Sequence, residues 1–383
     1  MSEAAVEAAV AVLRSGRLHR YNLAPGEVGE VALLETEYRA WQDCRYCLAL
    51  TSGGQALQIA LRAAGVGPGD AVLSNAFTLA PVPGAIAAVG ARAVLVEIDA
   101  DLRLDLDDLA RKIEASGARI LLLSHMRGHL PDMERVMRIC DRAGVAVIED
   151  CAHTMGAAWN GTRSGNFGLA ACFSTQTYKH LNSGEGGFLT TDDPDLAARA
   201  TVLSGSYMLY DRHGAGPEDE AFAAARYEMP NCSARMDALR AAILRPQLPE
   251  LEANIARWNA RYRRVEQGLA GHNRIALINR PAAERFVGSS IQFRLPDLSG
   301  TDCEAVLGAA ADRGVELKWF GAAEPRGFTS THQSWRYLMP QALPRTDAVL
   351  ATLFDMRLPL TFSEDDCSQI AALIREAVTE VAP

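Results

Sequence analysis

Apolar residues along the first half of the chain follow two alternating rhythms. Runs such as Val94-Leu95-Val96 and Ile120-Leu121-Leu122-Leu123 are almost continuously apolar, as strands covered on both faces must be. Between them apolar positions recur at helical spacing, as with Met133, Val136, Met137 and Cys140 in the stretch Met133 to Ala143. The pattern predicts strands near Leu48–Thr51, Ala71–Ser74, Arg92–Ile98, Arg119–Ser124, Val145–Glu149, Ala171–Ser174 and Phe188–Thr191, with a helix from Gln55 to Ala64. Strand and helix in alternation predict an α/β unit, a predominantly parallel sheet between helices.

The texture changes near Arg240. Leu251, Ile255, Trp258, Tyr262 and Val265 lie on one face of a predicted long helix, Leu248 to Leu269. Beyond it the pattern predicts a strand at Ser290–Leu295, a helix near Cys303–Arg313 and a strand at Val315–Trp319. A last helix follows Ser363, with Asp366 at the capping-box position, and runs to about Val381. Two domains are expected: residues 1–247, an N-terminal arm and a large α/β domain, and 248–383, a linking helix and a smaller α+β domain.

Composition narrows the function. A formal charge of -9 with no basic stretch gives nucleic-acid binding little electrostatic support. No apolar run reaches membrane-spanning length without a charge or glycine, and the acidic opening Met1-Ser2-Glu3 is unlike a basic secretory signal. The eight cysteines are scattered, and Cys44-Arg45-Tyr46-Cys47 is a lone CxxC. His125 and His129 stand four apart without a zinc-peptidase glutamate between them, and the nearby Gly128 and Pro131 oppose a helix. A cytosolic, soluble protein without a metal site or membrane partner is expected.

The segment most suggestive of chemistry surrounds Lys179. An apolar strand ends at Ser174, the lysine follows five residues on, and Gly184-Glu185-Gly186-Gly187 leads into the next strand. A lysine so placed can form a Schiff base with an aldehyde cofactor, of which pyridoxal 5'-phosphate is the one that needs it; a surface lysine beside a loop is the plainer alternative. Such a cofactor also needs an acid for its ring nitrogen, a phosphate cradle and a surface for the ring. Asp150 closes an apolar strand at the edge where parallel sheets bind ligands, although it could simply cap the following turn. Ser52-Gly53-Gly54-Gln55 opens a helix whose amides suit a dianion, and the Ser174 hydroxyl could join them. Phe77 could stack on the ring or be a core aromatic.

These motifs occur in a characteristic order: Ser52-Gly53-Gly54-Gln55-Ala56-Leu57, Gly67-Pro68-Gly69-Asp70, Ala76-Phe77-Thr78, Glu149-Asp150-Cys151-Ala152-His153, Phe173-Ser174, Lys179, Gly184-Glu185-Gly186-Gly187 and Asn231-Cys232-Ser233-Ala234-Arg235-Met236. Together they resemble the DegT/StrS family of pyridoxal-phosphate-dependent (sugar) aminotransferases, most strongly from Leu48 to Leu248. The resemblance implies a fold type I transferase in which Lys179 is the Schiff-base lysine and later the proton-shifting base. It further implies that Asp150 pairs with the ring nitrogen, Phe77 stacks on the ring and His153 approaches the cofactor's 3-hydroxyl. Ser174 and the Gly53, Gly54 and Gln55 turn would hold the phosphate. Asn231 would reach the phosphate of a neighbouring subunit, so a homodimer with shared sites is implied. Amino transfer from glutamate or glutamine to a keto-sugar, keto-cyclitol or similar ketone is the implied reaction. Another pyridoxal-phosphate reaction on an amino acid, by a racemase, lyase or decarboxylase, is the alternative, since the cofactor serves all of these.

Three departures bear on the substrate. Gly54 stands where the family commonly has threonine, and Gln176 where nucleotide-sugar enzymes often have histidine. Gln176 resembles the branch acting on cyclitols or aminohydroxybenzoate precursors. Gly314-Val315-Glu316-Leu317-Lys318-Trp319-Phe320-Gly321 replaces a His-Tyr-Pro-like segment. Lys318 and Trp319 are therefore candidates for a substrate wall suited to an anionic or compact acceptor, and Arg127, Arg235 and Lys318 for gripping the donor's carboxylate.

Overall fold

The apolar runs become strands of one sheet in the computed structural model, which describes residues 1–383. In chain order these are β1 (Tyr46–Leu50), β2 (Ala71–Asn75), β3 (Arg92–Val96), β4 (Ile120–Ser124) and β5 (Ala146–Asp150). Two short strands, β6 (Ala158–Trp159) and β7 (Thr162–Arg163), precede β8 (Ala170–Ser174) and β9 (Gly187–Thr191). The seven-stranded sheet has the order β1-β9-β8-β5-β4-β2-β3. Pairings among β2, β3, β4, β5 and β8 are parallel, whereas β9 is antiparallel to both β8 and β1. Only β9 therefore runs against the rest.

Alternate residues of each strand enter opposite cores. Leu121, Leu123, Val147, Ala171 and Phe173 pack into one apolar cluster, and Leu122, Ile148, Ala170 and Cys172 into the other. This burial on both faces is why the strands read as continuous apolar runs, each fully buried Leu or Ile contributing about 1.5–3 kcal/mol. Ahead of the sheet, Glu35 of the helix Glu30–Gln42 pairs with Arg20 at 3.0 Å and accepts the β1 amide of Ala49 at 2.9 Å, all out of water.

A second sheet lies in the C-terminal part. Its strands are β10 (Ala276–Leu277), β12 (Ser290–Arg294), β13 (Lys318–Trp319) and β14 (Leu353–Arg357), in the order β10-β12-β14-β13 and all antiparallel. Between them β11 (Glu284–Arg285) pairs back onto β6. Ile291, Phe293, Trp319, Phe354 and Met356 face a core shared with the helices Leu251–Leu269, Gly300–Asp312 and Glu364–Val381. Both of the last two helices carry a capping box, Ser299 with Asp302 and Ser363 with Asp366. The expected strand over Val315–Trp319 shortens to Lys318–Trp319. β14 has no counterpart among the expected strands. Nor is the second unit's tail confined to it: Trp335 and Leu343 lie in the core on one face of the main sheet.

Candidate functional site

Parallel topology brings the carboxyl ends of β1, β2, β4, β5 and β8 to one edge, where Ser52, Ser124, Asp150 and Ser174 lie. The reversed strand β9 begins at that edge with Gly187. Packing there is too close for side chains. A Cβ on Gly53 would stand 2.8 Å from Ser174 Cβ, and one on Gly187 2.6 Å from the Gly53 nitrogen. Ser52 caps the helix Gly53–Ala63 by accepting the Gln55 amide at 3.1 Å.

A cavity of about 510 Å³ opens at this edge, lined among others by Gly53, Gly54, Asp150, His153, Ser174, Gln176 and Lys179. Asp150 is 8% exposed, accepting the Ser124 hydroxyl at 2.8 Å and the Ala152 amide at 3.2 Å. Ser124 in turn accepts from Thr78 Oγ1 at 2.8 Å. The carboxylate is thus held in one orientation by a relay from the turn after β2.

Lys179 Nζ stands 3.1 Å from His153 Nε2. Burial brings its pKa down from 10.5 to about 7; Asp150 opposes the shift, and Arg127 and Arg357 add to it. Burial, with the neighbouring Lys179, likewise holds His153 well below the usual histidine range and brings His180 to about 3. Both histidines are therefore neutral, and His153 can accept a hydrogen bond from the lysine in the tautomer that leaves Nε2 bare. Gln176 builds the turn itself: its carbonyl accepts the Lys179 amide at 2.8 Å and its side-chain oxygen the Tyr178 amide at 3.1 Å. The chain has only three lysines, Lys112, Lys179 and Lys318, and two of them face the site.

A second cavity of about 720 Å³ adjoins the first, bounded by Arg127, Tyr178, Glu316, Lys318, Asp355 and Arg357 among others. His153, Lys179 and Arg357 line both. Arg127 is 3% exposed, has φ 55°, and stands 2.8 Å from Asp355. A buried non-glycine residue in the left-handed region stores backbone strain, as functional sites often do.

Other expected site residues lie elsewhere. Phe77 is 1% exposed and edge-on to Phe320 at 5.2 Å, in a small apolar cluster that reaches the cavity wall through Met126. Trp319 turns away from Lys318, as neighbours in a strand must, and donates to the Ala351 carbonyl at 2.8 Å inside the small core. Arg235 donates to the Gly205 carbonyl at 3.0 Å and lines neither cavity. Asn231 is exposed, its side chain accepting the Ser233 amide at 2.9 Å. His125 meets Glu149 at 2.9 Å and His129 meets Gln292 at 2.8 Å, which separates the pair. His125, Glu149 and Cys151 do cluster, but Glu149 is already occupied by the amides of Gly165, Phe167 and Gly168.

The sequence model of the DegT/DnrJ/EryC1/StrS aminotransferase family matches residues 1–375. The chain belongs to that family. Membership thus extends well outside the stretch between Leu48 and Leu248 where the motifs concentrate. Among members of the DegT/DnrJ/EryC1/StrS family, the chain is 30% identical to a 3-amino-5-hydroxybenzoate synthase of Amycolatopsis mediterranei, over 84% of this chain and 82% of that one. It is 35% identical to a dTDP-3-amino-3,4,6-trideoxy-alpha-D-glucose transaminase of Streptomyces venezuelae, over 70% of this chain but only 66% of the relative. A solved structure of S. venezuelae DesV with a ketimine intermediate superimposes with a TM-score of 0.80 at 27% identity, covering 97% of this chain and 93% of that one. The α/β fold with its mostly parallel main sheet is therefore the aminotransferase fold type I.

Proposed function

We propose that the chain is a pyridoxal-phosphate-dependent aminotransferase that moves an amino group from an amino acid, glutamate or glutamine, to a compact cyclic ketone. A keto-sugar, a keto-cyclitol or a related ring is the acceptor class. The observation that carries this reading is Lys179: a lysine brought to a pKa of about 7 at a cavity that also contains the buried, oriented carboxylate of Asp150. The family is pyridoxal-phosphate-dependent, and the residues fit the cofactor. Gly53 and Gly54 open the helix Gly53–Ala63 at the cavity beside Ser174, where their backbone would suit a phosphate, whereas the Gln55 amide is already taken by the Ser52 hydroxyl. Phe77 does not itself line the cavity, but Met126 of the same apolar cluster does and would offer the ring an apolar wall.

When bound, the cofactor supplies an electron sink that lets an amino acid lose its α-proton. The chain's residues do the rest. Asp150, fixed by Ser124 and Ala152, would keep a proton on the ring nitrogen. Lys179, half of it neutral near pH 7, would take the α-proton and hand it on across the intervening nitrogen to the cofactor. His153, neutral and 3.1 Å from Lys179 Nζ, orients that amine and would hold the ring hydroxyl. Two adjoining cavities give donor and acceptor, which occupy the site in turn, room beside the same lysine.

Asn231 is proposed to reach a second copy's phosphate in a homodimer. Exposed Tyr207, Met208 and Tyr227 near it in sequence offer apolar surface for that contact. The units 1–247 and 248–383 are proposed as the two domains. No helix is long and apolar enough to cross a membrane, and eight free cysteines favour the reducing cytoplasm. Glutamate or glutamine alone should convert the absorbance of the cofactor-loaded protein to that of the amine form, and a Lys179→Ala variant should not. Failure of every common amino acid to do so overturns the reading.

A further inference from the structure

We propose that Arg357 is the specificity residue that grips a substrate carboxylate beside the reacting carbon. The inference rests on the aminotransferase reading above for what that substrate does next. It rests on the geometry of β14 for where the substrate binds.

Strand alternation sets the arrangement. Phe354 and Met356 enter the small core, so Asp355 and Arg357 face the opposite way, toward the cavity. Across the ladder Lys318 pairs with Asp355, and Ser290 with Arg357, placing all four on that face. Their charges are handled differently. Asp355 is fully buried and taken up: Arg127 stands 2.8 Å from one oxygen, and Gln292 donates to the other at 2.8 Å. Arg357 has no carboxylate within 4.0 Å, and neither has Lys318.

Arg357 is held by aromatic faces instead. Its guanidinium carbon lies 3.7 Å from the centre of the Tyr178 ring and 5.2 Å from that of Phe328. Lys318 Nζ is 5.0 Å from Phe328. Stacking of this kind fixes the guanidinium plane while leaving its N–H edge free, and that edge matches a carboxylate in two places. Even without Lys179, three cations, Arg127, Lys318 and Arg357, line the larger cavity against two acids, Asp355 and Glu316. An incoming anion would relieve that imbalance. Burial and the proximity of Arg127 already depress the Arg357 pKa, as expected of a cation short of a partner.

Position gives the role. Arg357 is one of three residues lining both cavities, together with Lys179 and His153. A carboxylate on Arg357 thus sits next to the carbon that Lys179 serves. That carboxylate belongs either to the amino-acid donor, as its α-carboxylate, or to the ketone acceptor, and the two sources are separable by experiment.

The test compares wild type with Arg357→Gln, checked by thermal melt, with Arg357→Lys as the second variant if the first melts early. In the donor half-reaction L-glutamine is compared with L-glutaminamide, which lacks only the carboxylate. In the acceptor half-reaction 3-oxocyclohexanecarboxylate is compared with its carboxamide. Glutarate binding is measured by calorimetry on cofactor-loaded protein, where no turnover is needed. The expected result is a rise of about tenfold or more in the half-saturating concentration of the acid in one half-reaction, with the matching amide unchanged and glutarate binding weakened to the same degree. The half-reaction affected names the source. Equal losses for acid and amide, or no change in any of the three, overturn the inference. If no donor converts the wild type, the aminotransferase reading fails on its own, and glutarate calorimetry still decides whether Arg357 binds a carboxylate.

Discussion

Titration of Lys179 in the cofactor-free protein follows directly from its surroundings. An ordinary lysine, with a pKa of about 10.4, is neutral in roughly 0.04% of molecules at pH 7. Lys179, at about 7, is neutral in about half, roughly a thousandfold gain in nucleophilic amine that corresponds to about 5 kcal/mol against the charged form. Burial is the main cause, Asp150 opposes it, and Arg127 and Arg357 reinforce it. Trace acetylation with peptide mass spectrometry can read this, because Lys112, held at 3.1 Å by Asp108 outside the site, is an internal reference. Lys179 labelling should reach half its plateau near pH 7. Asp150→Asn should move that midpoint lower by removing a group that favours the cation, and Arg127→Met should move it higher. A midpoint above 9 in wild type, or opposite movements in the two variants, would refute the electrostatic account.

Three further outcomes are expected. Gly53→Ala should lower the melting temperature, since its Cβ would meet Ser174 at 2.8 Å and overpacking costs about 1–3 kcal/mol; it should also weaken phosphate and cofactor binding, read by cofactor fluorescence. Glu35→Ala should cost about 3–5 kcal/mol in urea unfolding, because it strands the buried Arg20 and the Ala49 amide. His129, His153, His180 and His213 are all depressed chiefly by burial. Each is neutral when folded and protonated when unfolded below about 6.5, so stability should fall as pH drops from there toward about 3, where His180 finally charges. Stability flat between pH 6.5 and 4 in denaturant titrations would contradict their burial.

Much of the site was legible because its parts are short-range. Ser52-Gly53-Gly54, Asp150, Ser174 and Lys179 are marked by strand ends and glycines, and parallel topology brings strand ends together without further information. What was missed depends on which face of a strand or loop points where. Trp319 and Lys318 are neighbours in sequence yet face opposite sides, so only Lys318 reaches the cavity. Phe77 packs edge-on to Phe320, from a distant segment that no local pattern indicates. Arg357 lay in an unread strand, although Phe354, Met356 and Leu358 alternating with Asp355 and Arg357 carry the two-residue period that identifies one. Arginine abundance hid it further, since nothing in sequence distinguishes a paired arginine such as Arg127 from an unpaired one.

The reversal of β9 has a mechanical result. Ser174 pairs with Gly187 across the base of the segment that carries Lys179, and Thr175, Thr177 and Ser183 add rungs to Gly186, Gly184 and Thr175. The segment is moored at both banks, so the lysine is a short tether on a fixed pier. In a full round of amino transfer its amine would be displaced once and recaptured once, and only four methylenes need swing for that. The local concentration of the returning nucleophile is then set by side-chain length alone, independent of any movement elsewhere in the chain.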